Sequence, residues 1–188
     1  MKKIFWLVFI VILVLVFYNY LGRTRQKQKL PVISNKMIQV SSPAFTDNQM
    51  IPKNYTCDDL NINPPLSFKN VPVAAKSLAL IVDDPDAPMG TWTHWLVWNI
   101  DPKTAEIKEN SVPVGAVLGK NDSGENKYDG PCPPGGTHRY FFRVYALDTI
   151  LSLAQGSSRK NLESAMSDHV INQGELMSRY SRQSPTPY

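Results

Sequence analysis

The stretch G-P-C-P-P-G-G-T-H-R-Y-F-F, residues 130–142, sets a turn-dense segment directly against the start of an aromatic strand. Proline fixes φ and glycine permits φ values that other residues avoid, so residues 130–136 encode one definite loop shape. Side chains alternate along a strand. His138, Tyr140, Phe142, Val144 and Ala146 therefore share one face, and Arg139, Phe141, Arg143, Tyr145 and Leu147 take the other. A loop specified this tightly delivers its cargo to a fixed place, and the cargo here is His138 and Tyr140.

The same pattern recurs along the chain. Apolar runs are short, at Met37–Val40, Ser77–Val82, Thr93–Ile100 and His138–Leu147, and are bounded by clusters such as N-I-N-P-P and N-D-S-G-E-N. All 15 prolines lie beyond residue 30, most of them before residue 150, which argues against long helices in that span. This is the pattern of an antiparallel sandwich or barrel with elaborate loops. Ser77–Val82 is almost wholly apolar and reads as a strand covered on both faces. In Thr93–Ile100, alternation puts His94, Leu96, Trp98 and Ile100 on one face and Trp95, Val97 and Asn99 on the other. Only the end reads as helical. Ser158 is an N-cap candidate before Leu162, Ala165, Met166 and Val170, and a second short helix is expected from about Gln173 to Arg179.

The N-terminus stands apart. Lys2 and Lys3 precede an apolar run from Ile4 to Phe17, continued to Leu21. As a helix this is long enough to cross most of a hydrocarbon core, and no small-x-small cleavage site follows it. The expectation is a single-pass anchor or uncleaved signal over 1–21 and a basic linker over 22–35. A domain over 36–182 and a tail over 183–188 follow, with the domain on the periplasmic or extracellular side of the membrane. A cleaved signal peptide is the rival.

Six of the 20 Lys and Arg fall in residues 1–30, where there is no acid, so the remaining 14 face 16 Asp and Glu. The positive charge thus belongs to the first segment, and no basic face marks the domain for nucleic acid. Cys57 and Cys132 suit one disulfide in an exported protein, or two buried thiols in a cytosolic one.

Chemistry concentrates in two groups. D-D-P-D-A-P-M-G-T-W-T-H supplies Asp84, Asp86 and His94, and G-G-T-H-R-Y supplies His138 and Tyr140. Two carboxylates, two imidazoles and a phenol on proline-stiffened loops suit one small polar cavity. They are compatible with zinc, with acid–base hydrolysis, or with an anion held on imidazoles that the carboxylates keep protonated. Turn-capping aspartates beside structural histidines are the plainer alternative. G-x-S-x-G, P-loop, G-x-G-x-x-G and H-E-x-x-H sequences are absent, and no cofactor or metal is expected.

D-P-D-A-P at 84–88, a following strand with His94, and G-T-H-R-Y at 136–140 resemble the two signature regions of the phosphatidylethanolamine-binding protein family, which includes the Raf kinase inhibitor proteins. I-P-K-N-Y-T-C-D-D at 51–59, N-P-P-L-S-F at 63–68 and Y-D-G-P-C-P-P at 128–134 are similar to its bacterial branch. The resemblance covers about residues 36–182. It implies an all-β, two-sheet antiparallel sandwich, here with short C-terminal helices and an N-terminal transmembrane helix. It also implies an anion pocket formed by Asp84, Asp86, Pro88, His94, Pro134, His138 and Tyr140, with Arg139 anchoring a loop or a carboxylate. The expected ligand is a phosphate-bearing headgroup or another small anion, bound without catalysis. A regulator holding a kinase, protease or other protein partner at the pocket rim is the second expectation, and a hydrolase the third.

Overall fold

The structure, a computed structural model, describes Phe17 and residues 36–182. The chain divides into two units, Met1–Ile33 and Ser34–Tyr188, and the architecture below is that of the second. Its strands are β1 (Gln39–Ser41), β2 (Gln49–Met50), β3 (Leu66–Lys69), β4 (Ser77–Asp84), β5 (Trp92–Ile100), β6 (Glu106–Ile107), β7 (Val117–Leu118), β8 (Thr137–Leu147) and β9 (Val170–Ser181). A 3-10 turn at Lys53–Tyr55 and one helix, α1 (Arg159–Met166), complete the described elements.

Two sheets form, one in the order β1-β3-β6 and one in the order β2-β9-β8-β4-β5-β7. All pairings are antiparallel except β2 with β9, which is parallel. The main core lies between the sheets, where Val40, Leu66, Phe68 and Ile107 meet Leu80, Val82, Trp95, Val97, Phe142 and Val144. The other face of the larger sheet is also covered. Ala79, Ile81, Leu96 and Trp98 pack there against Leu151, Leu162 and Met166. Every residue of β4 is consequently buried, as its unbroken apolar run requires.

Helix α1 starts where the sequence marks it. Ser158 Oγ accepts from the Asn161 backbone N–H in a capping box. A buried charge then fixes the helix to the sheet. Asp83 pairs with Arg143 of β8 at 3.3 Å and with Arg159 of α1 at 2.8 Å. Glu175 and Glu163 take the outer sides of the two guanidinium groups. A carboxylate so enclosed is stabilised only while both partners stay in place.

Strand alternation fails at two points in β5, and both are bulges. Its register against β4 slips between Leu78 and Leu80 and again between Val82 and Asp83. At the first slip Asn99 takes φ 56°, and its amide bonds both Leu151 N–H and Leu151 O. Ile100 therefore joins Trp95 and Val97 in the inter-sheet core, while Leu96 and Trp98 face α1.

The expected fold is corrected in two further respects. The helix expected over Gln173–Arg179 is strand β9, which pairs with β8 from Thr137↔Ser181 to Leu147↔Val170. Burial of Gly174, Leu176, Ser178 and Tyr180 follows a period of two, and a helix would leave the long β8 edge unpaired. The backbone of Ile38 also comes so close to Gly174 that a Cβ there would collide with its carbonyl oxygen. Second, the transmembrane helix is withdrawn from the fold. Among the described residues no helix is long and apolar enough to cross a membrane, and the run Ile4–Leu21, apart from Phe17, lies outside them.

Asn99 offers a direct check on the bulge. Asn99→Ala removes two hydrogen bonds and places a Cβ-bearing residue without a local partner at positive φ, so stability should fall by about 1–3 kcal/mol. Asn99→Gly should recover the conformational part of that loss in urea unfolding.

Candidate functional site

The second bulge builds the site. Val82 pairs with Trp95 and Asp83 with Thr93, so His94 is the extra residue. Without the slip it would fall in phase with Leu96 and Trp98 beneath α1. Instead its ring meets the edge of Tyr140 from β8, with centroids 5.3 Å apart. Tyr140 is flanked on its other side by His138, stacked at 6.5 Å. Bulges commonly re-aim a side chain in this way.

Asp84, the last residue of β4, closes the arrangement. Its Oδ2 accepts from His138 Nδ1 at 2.7 Å, and its Oδ1 accepts from the Asp86 backbone N–H at 2.8 Å. His94 Nδ1 lies 2.6 Å from the carbonyl oxygen of Asp129. That carbonyl can only accept, so the Nδ1 of His94 carries the proton. The other ring nitrogen, Nε2, is buried and has no partner, and the Tyr140 hydroxyl is likewise buried without a partner of good geometry.

These groups lie in and beside a cavity of about 460 Å³. Asp84, His94, His138, Asp129 and Ser123 supply its polar lining, and Pro88, Met89, Trp92, Pro133 and Pro134 much of the rest. Of the residues expected from the sequence, Asp84, Pro88, His94, Pro134 and His138 line it directly. Tyr140 stands against both imidazoles. Asp86 is elsewhere: its carboxylate takes the Arg139 backbone N–H and both Nε and Nη2 of the guanidinium, at 2.7–2.9 Å. It thereby ties the D-P-D-A-P loop to β8 from outside the cavity. Sequence reasoning passed over Asp129, Ser123, Met89 and Trp92. Asp129 sits in the quoted Y-D-G-P-C-P-P, but nothing in the sequence shows that its carbonyl faces His94.

The lip over the cavity is pinned to the segment after β2. Cys57 and Cys132 are joined in a disulfide, and Cys57 N–H donates to Pro131 O at 3.2 Å. The Tyr128 hydroxyl donates to Tyr55 O, and Asn61 bonds both the Asp129 carboxylate and Gly130 N–H. A Cβ at Gly130 would run into the Tyr55 carbonyl and the Asn61 amide, so this contact needs glycine.

Burial pushes the His94 imidazole below its ordinary value, although the Asp129 carbonyl and the nearby carboxylates pull the other way. Of the alternatives left open by the sequence, the one in which carboxylates keep the imidazoles protonated does not hold at His94, where desolvation wins. Burial first, and the Asp84 charge second, hold the Tyr140 phenol well above its usual range. It thus stays a hydrogen-bond donor at every physiological pH. Among the described residues no three His, Cys, Asp or Glu side chains gather as a metal site.

The described domain is a two-sheet sandwich with a cavity at the ends of β4, β5 and β8, and comparison with known proteins gives its family. The model of the phosphatidylethanolamine-binding protein family matches residues 41–181, and the chain belongs to that family. A UPF0098 protein of Methanothermobacter thermautotrophicus is 51% identical over 150 residues, covering 77% of this chain and 99% of its own. The crystal structure of a putative phosphatidylethanolamine-binding protein homologue from Chlamydia trachomatis superposes with TM-score 0.76 at 44% identity, over 78% of this chain and 99% of that one. E. coli YbcL, described as a new member of the mammalian family, superposes with TM-score 0.74 at 30% identity, over 79% and 100% of the two chains. The relatives include archaeal and bacterial proteins, so the membership shown is that of the family as a whole.

Two measurements test the frame of the site. The Arg139 hydrogen bonds, foremost, lower the Asp86 carboxyl to about 2 from an ordinary 3.8. A depressed value means stability that is present above about pH 4 and is lost as pH falls toward 2. Asp86→Asn should flatten the acid limb of the stability–pH curve, modestly, because the pair is largely solvated. Replacing Cys57 and Cys132 by serine should lower unfolding stability by about 2–5 kcal/mol.

Proposed function

We propose that this domain is a non-catalytic binding module that holds a small anion or a phosphate-bearing headgroup in the cavity between the D-P-D-A-P loop and the 130–136 lip. The observation that carries this reading is the floor: a buried His94 Nε2 and a buried Tyr140 hydroxyl without partners, beside His138 fixed by Asp84. Buried polar groups are nearly always satisfied, so two orphans beside one cavity argue for a ligand that completes them. Family membership supports the reading, because the family takes its name from a phospholipid.

Calorimetric titration of the full-length chain with phosphoethanolamine, inorganic phosphate and acetate should show saturable binding of at least one. His138→Ala should abolish it in a domain that still unfolds cooperatively, with a lowered midpoint because Asp84 loses its buried partner. Unchanged affinity in that variant would rule the pocket out.

A protein partner at the rim is the second reading, favoured by one observation. Met89 is 96% exposed beside the half-exposed Trp92, an apolar pair at the cavity mouth. Capture of a partner that survives His138→Ala but is lost on Met89→Asp and Trp92→Asp would favour it.

A further inference from the structure

The cavity has an unusual charge for an anion site. No Lys or Arg lines it, while the carboxylates of Asp84 and Asp129 do. An oxyanion entering it approaches two negative groups with no fixed cation to offset them. The nearest ring nitrogen without a partner, Nε2 of His94, presents a lone pair, because Nδ1 spends its proton on the Asp129 carbonyl. A lone pair repels an anion as surely as a carboxylate does. The groups that face this ring can be named from each element around it. They are Asp129 from the lip, Asp84 from β4, and Tyr140 and His138 from β8; Asp83 acts on the ring only through space, from the α1 face of the sheet where Arg143 and Arg159 hold it. The Tyr140 hydroxyl is a neutral donor beside this ring, and the change that turns the ring itself from repelling an anion to attracting one is a proton on Nε2.

We infer that an oxyanion binds here together with one proton, taken up on Nε2 of His94, so that the pocket selects the pair of anion and proton over the anion alone. This rests on the anion-binding reading above and specifies its chemistry. The balance is simple: the proton comes from solvent, a new N–H forms on the imidazole, and the resulting imidazolium donates to the anion while Nδ1–H keeps its bond to Asp129. In the empty pocket burial keeps His94 neutral at neutral pH, and the anion's charge replaces the water that an exposed imidazolium would have had. Affinity then depends on pH through linkage, weakening as pH rises by up to about tenfold per unit while the free ring is neutral and the bound ring charged.

Dimethyl phosphate is a suitable probe, because as a diester it keeps one negative charge across the range of interest and adds no titration of its own. Calorimetry of the full-length chain at neutral pH, in two buffers of different ionisation enthalpy, counts the protons taken up. An uptake close to one per anion is expected, with affinity falling as pH rises from about 5 to 8. His94→Gln places a non-titrating amide N–H near the position of Nε2 and should bind without uptake and with a flat pH profile. Uptake that persists in His94→Gln puts the proton elsewhere and overturns the inference. Saturable binding by the unaltered chain with no proton uptake overturns it too, yet leaves the anion pocket standing. No binding of dimethyl phosphate, phosphate, phosphoethanolamine or acetate at any pH in the range removes both. Should His94→Gln fail to fold, the imidazole NMR resonances of the unaltered chain, followed with pH with and without dimethyl phosphate, decide: protonation of the His94 ring on binding supports the inference, and protonation of the His138 ring instead overturns it.

Discussion

One additional residue in β5 governs the site. Regular alternation would bury His94 under α1, among Leu96 and Trp98, with nothing to bond. The slip against β4 turns it to the opposite face, where Tyr140 and the cavity are. Once the ring has crossed the sheet, the remaining contacts are determined by what already lies there. The Asp129 carbonyl takes one nitrogen, and the other is left for something the protein does not supply. A bulge costs ladder hydrogen bonds, and bulges are retained where a side chain must be re-aimed.

The frame around that ring is held by opposing kinds of force. The lip is tethered covalently through Cys57–Cys132 and by Asn61, while the D-P-D-A-P loop is held by the Asp86–Arg139 pair. The first is indifferent to pH and salt; the second weakens with both acid and ionic strength. The two walls of the cavity therefore respond differently to the surroundings.

Much of this was legible in the residues. Proline and glycine punctuation gave short strands, and the 130–142 stretch placed His138 and Tyr140 on one face, with Phe142, Val144 and Ala146 continuing it into the core. What could not be read was phase. A period-two argument assumes unbroken pleating, and β5 breaks it at His94 and at Asn99 without any glycine to announce the change. β9 failed for another reason. Leu176 and Tyr180 invite a helical spacing, while the alternation that fixes the strand runs through Gly174 and Ser178, two residues without apolar weight. Asp83 was invisible as a partner because Arg159 lies far along the chain and meets it only after α1 docks.

The disulfide has a topological consequence. It closes a covalent ring from Cys57 to Cys132 that contains β3 to β7, while β8 and β9 belong to the open strand that follows. In the larger sheet β8 lies directly against β4, so ring and tail are interleaved rather than set side by side. A single backbone cut anywhere inside the ring, for example in the exposed turn at 122–126, leaves both pieces covalently joined. A cut between Cys132 and His138 severs the tail from the ring, and with it the wall that carries His138. For a nicking enzyme the molecule thus has two unlike halves, one that survives a break as a single covalent molecule and one that does not.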